Sequence, residues 1–530
     1  MFSGPPEGDP SAPLPQHDTG SRPSGPPKEE SLPSPMSTST PTPTGEMPAV
    51  AAAGDSSPSS VKVAPIIAVL VVSAFVMILN ETLLSVALPT LMADLSITAV
   101  TAQWLSTGFM LTMAVVIPTT GFLMKRLSAR QVFLVAMSLF LAGTVVAMVA
   151  PTFPVLLGAR VVQAAGTAMV LPLLMTTILA LVALRSRGLV MGLVGVVISA
   201  APALGPSISG FILEHGTWHH LFALMLPIIV IALVIGLLFM RNYAEPEQVR
   251  LDVLSVILSA IGFGGAIYAL ASISQIVSGT DRLMPLLAAG IGLVSLTLFT
   301  LRQVRMLSRG QEPLLDLRPL KVRTYTVSLL VILMGFATML GTVVALPLYM
   351  TGSLGMGTLE IGLTMLPGAA ASGLLGPVVG SLYDRFGPRP IVVPGAALMA
   401  LVCWLEVLLL DEHATQGLII ALNIPLGIGM AMVMTPLLTL SLGALPRSLY
   451  GHGSAILNTL QQLAGALGTA VFIALLTLGA AVAAEAGAPA EIAHASGASW
   501  AFVFGGVVTT AAIVLACTLK QNPVEVEPAA

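Results

Sequence analysis

Long apolar runs, broken by short polar or Gly- and Pro-containing segments, make up most of the chain after residue 62. A helix rises about 1.5 Å per residue, so a run of about 20 residues crosses a hydrocarbon core about 30 Å thick. Fourteen such runs are expected, at about 63–88, 101–123, 131–150, 154–181, 188–213, 221–240, 252–275, 284–302, 325–350, 361–382, 390–410, 416–440, 450–478 and 498–519. Only helices or closed barrels satisfy every backbone polar group in lipid, and runs this long are helical.

Composition fits an all-α polytopic membrane protein. The 530 residues are 55% hydrophobic and 9% charged, with a mean hydropathy of +0.94. A soluble domain carries about 25% charged residues. A net charge of −3 with no basic stripe argues against a nucleic-acid partner. Residues 1–61 are rich in Pro, Ser, Thr and Gly and poor in large apolar residues. They cannot bury enough surface to offset their ordering entropy, and a disordered tail is expected. They lack the apolar core of a signal peptide.

Loop charge sets the orientation. With the N-terminus in the cytoplasm, 20 of the 22 Lys and Arg fall on the cytoplasmic side. Arg160 lies inside a run and only Arg282 lies outside. Both termini are then cytoplasmic, and Trp104, Trp218, Trp404 and Trp500 fall toward the outer interface. Cys403 and Cys517 lie toward opposite faces, which disfavours a disulfide.

The chain repeats itself. Val86-Ala-Leu-Pro89 matches Val344-Ala-Leu-Pro347 at an offset of 258. Gly121 through Arg130 matches Gly380 through Arg389 at 259, and Gly166-Thr-Ala-Met-Val170 matches Gly429-Met-Ala-Met-Val433 at 263. The nearly constant offset implies parallel duplication, as in transporters whose site lies between two six-span halves. The boundaries expected are a tail at 1–61, a first half at 62–250, two inserted helices at 251–310, a second half at 311–520 and a tail at 521–530.

Glu81 stands well inside the first run, where a carboxylate is costly and usually functional. Met77, Glu81, Ser85 and Leu88 share one helical stripe, with Asn80 beside it. Arg160 is roughly 9 Å into the fourth run from outside, and Glu81 roughly 10 Å from the outer end of the first. The two can sit at one level, where the cation compensates the acid. The plain alternatives are a hydrogen-bonded acid and an arginine tied to backbone carbonyls, both serving packing.

Four motifs carry a family resemblance. They are Leu79-Asn-Glu-Thr82, Arg160-Val-Val-Gln163-Ala-Ala-Gly166, Ala203-Leu-Gly-Pro206 within Gly195–Gly210, and Gly380-Ser-Leu-Tyr-Asp384-Arg385-Phe-Gly387-Pro-Arg389. Over about 63–519 the chain resembles the major facilitator superfamily in its 14-span drug–proton antiporter branch, and the first motif is similar to that of lincomycin-type exporters. The resemblance implies two six-helix halves plus two inserted helices. It implies proton coupling at Glu81 and Arg160, an antiporter motif at Gly205, Pro206 and Gly210, and a cytoplasmic gate at Gly380, Asp384, Arg385, Gly387 and Arg389. The first copy of the gate departs from the pattern: Lys125 replaces the Asp and Ser128 the Gly, so its charges can equally be topology signals.

Amides at Asn80, Gln163, Asn458 and Gln461, with Ser85, are candidates for a substrate cavity or for contacts between helices. Glu406, near Asp411 and Glu412, is read as interfacial. His215 and His219 are spaced to hold a metal only if their segment is helical, and no metal is expected. No phosphate-binding Gly-rich loop or hydrolase constellation is present, so neither enzyme activity nor a cofactor is expected, only a proton gradient. The function expected is proton-coupled efflux of amphipathic small molecules across a bacterial plasma membrane, by a monomer in lipid. An exporter dedicated to one endogenous metabolite, lipid or antibiotic, and a non-transporting sensor or scaffold, are the alternatives.

Overall fold

A computed structural model describes residues 63–183, 186–240, 242, 252–273 and 282–519. The two tails, including 1–61 and 521–530, lie outside the described residues. Fourteen helices follow in order: α1 (Val63–Asp94), α2 (Ala99–Arg126), α3 (Ala129–Met148), α4 (Phe153–Leu181), α5 (Arg187–His215), α6 (His219–Phe239), α7 (Val253–Ala271), α8 (Leu283–Ser308), α9 (Arg323–Leu354), α10 (Thr358–Phe386), α11 (Arg389–Leu409), α12 (Gln416–Gly443), α13 (Tyr450–Glu485) and α14 (Ala490–Cys517). Thirteen are long and apolar enough to cross a membrane over their described residues, and α5 has 29 residues. No strand occurs among the described residues. The largest boundary difference is α14, which starts eight residues before the expected run: His494 packs against Gly352 of α9, and Ser496 and Gly497 against Gly479 of α13.

The two halves use the same pairings. In the first, α1 packs on α5 and α6, α2 on α4, and α3 on α4 and α6. In the second, α9 packs on α13 and α14, α10 on α12, and α11 on α12 and α14. Each set corresponds to the other helix for helix, which gives the sequence repeat its spatial meaning. The inserted pair α7–α8 packs on itself and then on α2 and α13, one helix from each half. Across the halves, α5 lies along α10 and α2 along α13.

The duplicated turn after α2 and α10 is built in two ways. In the second copy Gly387 closes α10 at φ 80°, a conformation natural to glycine. In the first copy Ser128 instead caps α3. It accepts from Gln131 N at 3.4 Å, and Gln131 Oε1 accepts from Ser128 N at 3.0 Å. The exchange of Gly for Ser therefore keeps a sharp turn.

Trp218 departs from expectation. It is 1% exposed, and its indole N–H donates to Asp94 Oδ2 at 2.7 Å. That hydrogen bond draws it into the core between α1 and α6, whereas Trp104, Trp404 and Trp500 remain exposed.

Candidate functional site

A buried polar cluster joins α1, α3 and α4. Arg160 is 1% exposed. Its Nη1 donates to Asn80 Oδ1 at 2.8 Å and to Gln163 Oε1 at 3.1 Å. Gln163 Nε2 donates to Thr144 Oγ1 at 2.8 Å, which orients the amide so that its oxygen faces the cation. Phe109 of α2 covers the guanidinium, with 4.1 Å from Cζ to the ring centroid. Hydrogen bonds to a charged group contribute about 1.5–3 kcal/mol each, and a desolvated cation–π contact about 2 kcal/mol. Arg160 Nε finds no hydrogen-bond partner among the described residues.

Glu81 makes no hydrogen bond to Arg160. Asn80, one residue earlier, holds the guanidinium instead. Glu81 is close enough for the two charges to interact, yet no hydrogen bond or ion pair reaches its carboxylate among the described residues. It is half-buried and deep in the bundle. Next to it, Thr82 packs on α5: its Oγ1 donates to Ala201 O at 3.3 Å, and a Cβ at Gly205 would overlap it. Ser209 Oγ donates to Leu83 O at 3.0 Å. Gly205 of the antiporter motif thus lets α5 lie against α1 beside the acid. Gly210 is exposed with open space around it and serves no such approach. The side chains of Pro206 and Ser85 lie outside the described residues.

The amides placed in a substrate cavity are buried in this conformation. Asn80 and Gln163 support Arg160, and Asn458 Nδ2 donates to Ser454 O at 2.8 Å within its own helix. Gln461 is buried too. Glu406 is not interfacial: it is 1% exposed on α11, beside Cys403, with Oε2 unpartnered. Its helix turns it inward, away from Asp411 and Glu412. The histidines fail the condition set for a metal, because α5 ends at His215 and α6 begins at His219. His215 Nδ1 lies 3.0 Å from Phe211 O, and His220 Nδ1 accepts from Thr217 N at 3.0 Å. Both cysteines are free, Cys403 buried and Cys517 exposed.

On the face that carries the basic loops, the halves close on each other. Gly188 and Gly192 of α5 meet Gly380 and Gly376 of α10 so closely that a Cβ at any of the four would overlap opposing backbone. Asp384 then caps α5 across the interface. Its Oδ1 accepts from Gly188 N at 3.0 Å and its Oδ2 from Leu189 N at 3.2 Å. Arg385 and Arg389 of the same loop are exposed, Arg385 resting over Phe386 at 5.1 Å. The carboxylate finds a better partner in the positive end of a helix with unsatisfied amides.

The model of the Major Facilitator Superfamily matches residues 70–469. The chain belongs to that superfamily. It is a multi-pass membrane transporter of small molecules, not an enzyme. Superfamily relatives cover it almost end to end. It is 38% identical to the lincomycin resistance protein LmrB of Bacillus subtilis (strain 168) over 470 residues, 88% of this chain and 97% of that one. It is 39% identical to LmrB of Listeria monocytogenes, over 86% of this chain and 96% of that one. The multidrug efflux pump LfrA of Mycolicibacterium smegmatis is 28% identical over 86% and 88%. The fold is shared with the proton:xylose symporter XylE, at a TM-score of 0.59 and 15% identity, covering 86% of this chain and 96% of that one.

Several residues of this Major Facilitator Superfamily site were not singled out from sequence. Thr144 and Phe109 carry no local signal. Gly188-x-x-x-Gly192 and Gly376-x-x-x-Gly380 do, because that spacing marks close helix approach in membranes.

Proposed function

We infer that the protein exports amphipathic small molecules from the cytoplasm in exchange for protons, by alternating access to a site between its halves. The observation that carries this reading is Glu81. It is an acid at membrane depth, half-open and without a hydrogen-bond partner, beside a cation already held by neutral amides. Such a group can gain and lose a proton without dismantling its surroundings. The names of the relatives, lincomycin resistance protein and multidrug efflux pump, support efflux of drugs as the function. The proton gradient takes the place of any cofactor. The charge of the loops supports cytoplasmic termini in a bacterial plasma membrane, with the closed basic face toward the cytoplasm. The working unit is a monomer in lipid.

The test is substrate-induced proton movement in proteoliposomes with an imposed pH gradient. Glu81→Gln keeps shape and hydrogen-bonding capacity but cannot release a proton. It abolishes accumulation against the gradient and leaves downhill movement. A Glu81→Gln protein that still concentrates lincomycin or a cationic dye refutes coupling at this acid. Wild-type transport indifferent to an uncoupler refutes proton antiport.

A further inference from the structure

The two gates differ in one charge. On α10, Asp384 caps the N-terminus of α5. The repeat offsets of 259 and 263 place Lys125 of α2 where Asp384 stands, and Gly451 of α13 where Gly188 stands. The geometry agrees: Gly121 approaches Gly451 and His452, and a Cβ at Gly121 would lie 3.0 Å from His452 Nδ1. A lysine cannot accept from the first amides of α13, and its charge opposes the positive end of that helix. The first gate therefore lacks its own acid.

Acids reach it from elsewhere. Between α8 and α9 the chain crosses this corner, burying Leu314, Leu315 and Asp316. Glu312 Oε1 lies 3.8 Å from Lys125 Nζ. Asp316, 2% exposed, donates its backbone N–H to His452 Nδ1 at 3.3 Å. Burial pushes the Asp316 carboxyl up. Arg318, which donates from its backbone N at 2.9 Å and from Nε at 2.7 Å, outweighs this and holds it below the usual carboxylate range. An ionised carboxylate thus stands beside the start of α13, as Asp384 stands at the start of α5. The segment is anchored to the inserted helices: Gln303 of α8 accepts from Leu315 N at 3.3 Å and donates to Ser255 of α7 at 2.6 Å.

We propose that the segment Gly310–Arg318 completes the first cytoplasmic gate, with Glu312 supplying to Lys125 the acid that α2 lacks and the inserted helix pair holding the segment in place. Asp316 is then a positioning residue, keeping His452 against Gly121. The inserted helices thereby gain a role, anchoring a strap that touches both halves only while the cytoplasmic side is closed. The proposal rests on the alternating-access reading above.

The experiment is a charge exchange, read by spin-label separation across the basic face and by transport in proteoliposomes. Lys125 and Glu312 are both partly solvated, so substitution spares folding. Glu312→Lys turns the contact with Lys125 repulsive and shifts the population toward an open cytoplasmic side about 2- to 5-fold, the range of an exposed pair turned to repulsion. Adding Lys125→Glu, which restores opposite charges and gives α2 an acid beside the start of α13, returns the population to within about 2-fold of wild type or further toward closure. Gln303→Leu, which releases the strap without touching either charge, shifts the population toward open as Glu312→Lys does. The proposal is overturned if Glu312→Lys leaves the population unchanged, or if adding Lys125→Glu recovers none of the shift. The population readout needs no substrate. A swap pattern that holds in a protein unable to pump would refute the export reading alone.

Discussion

Asp384→Ala removes the one side chain that caps α5 from the opposite half. Its two hydrogen bonds, at 3.0 and 3.2 Å, cross the interface and exist only while the basic face is closed. Losing a helix N-cap costs about 0.5–2 kcal/mol. Losing a negative charge at a helix N-terminus costs a further 0.3–1 kcal/mol or so. The side chain is exposed, so solvent screens part of this, and about 1–2 kcal/mol remains. That shifts the closed-to-open ratio about 5- to 30-fold. Asp384→Asn keeps an acceptor and loses the charge, so its shift is about 2- to 5-fold. Spin labels at Arg130→Cys on α3 and Ser381→Cys on α10, both exposed, report the separation of the halves once Cys517, also exposed, is replaced by Ser. The expected order of the longer, open-state population is wild type, then Asp384→Asn, then Asp384→Ala, with transport falling in that order. Lost transport with an unchanged distance distribution would refute the latch and leave Asp384 some other role.

Gly192→Val, whose side chain would collide with Gly376 backbone, prevents closure at an overpacking cost of about 1–3 kcal/mol, whereas Gly210→Ala is silent; the same spin labels separate the two. Asn80→Ala strips Arg160 of its 2.8 Å acceptor, costs about 1.5–3 kcal/mol, and lowers the melting temperature in detergent more than Thr144→Ala, which only frees the Gln163 amide. An impermeant thiol reagent outside cells modifies Ala486→Cys, between α13 and α14, but not Ser308→Cys at the end of α8; the reverse pattern inverts the topology.

The fold was legible because lipid allows so few solutions. Each of the fourteen apolar runs falls on an α-helix among the described residues, and the repeat at offsets near 260 became two sets of matching pairings. The site was legible in depth and not in azimuth. Helical rise puts Glu81 and Arg160 at one level, but a rotation of one residue decides whether Asn80 or Glu81 takes the guanidinium, and side-chain packing settles that. Asn80 wins because it faces α4, where Gln163, with Phe109 of α2, completes the enclosure. Glu406 misled for a related reason: Asp411 and Glu412 follow it closely in sequence, but its own turn of helix faces the buried side. Glu312 and Asp316 were unreadable, since their partners Lys125 and His452 are well over one hundred residues away.

Duplication kept the frame and changed the chemistry. The offsets of 259 and 263 carry Phe109 to Gly368 and Arg160 to Asn423. In the second half Asn423 lies directly on Gly368, where a Cβ would overlap its amide, so an aromatic lid over a cation has no room there. The offset of 258 carries Glu81 to Met339. The acid and its cation therefore belong to the first half, and a change of charge at Glu81 must reach the second half through a helix that touches both. Helix α5 does so. From its middle toward its outer end it holds Thr82 and Leu83 beside the acid, through Ala201, Gly205 and Ser209. At its inner end its first amides sit in the Asp384 carboxylate. The 17 residues from Gly188 to Gly205 span about 26 Å of helix, with Pro202 within it. On the proposed reading, a small displacement of α5 at Thr82 as Glu81 gains or loses its proton would move the amides that Asp384 must reach. Two hydrogen bonds near 3 Å tolerate little such movement, so one helix can convert protonation on the outer side into release of the latch on the inner side.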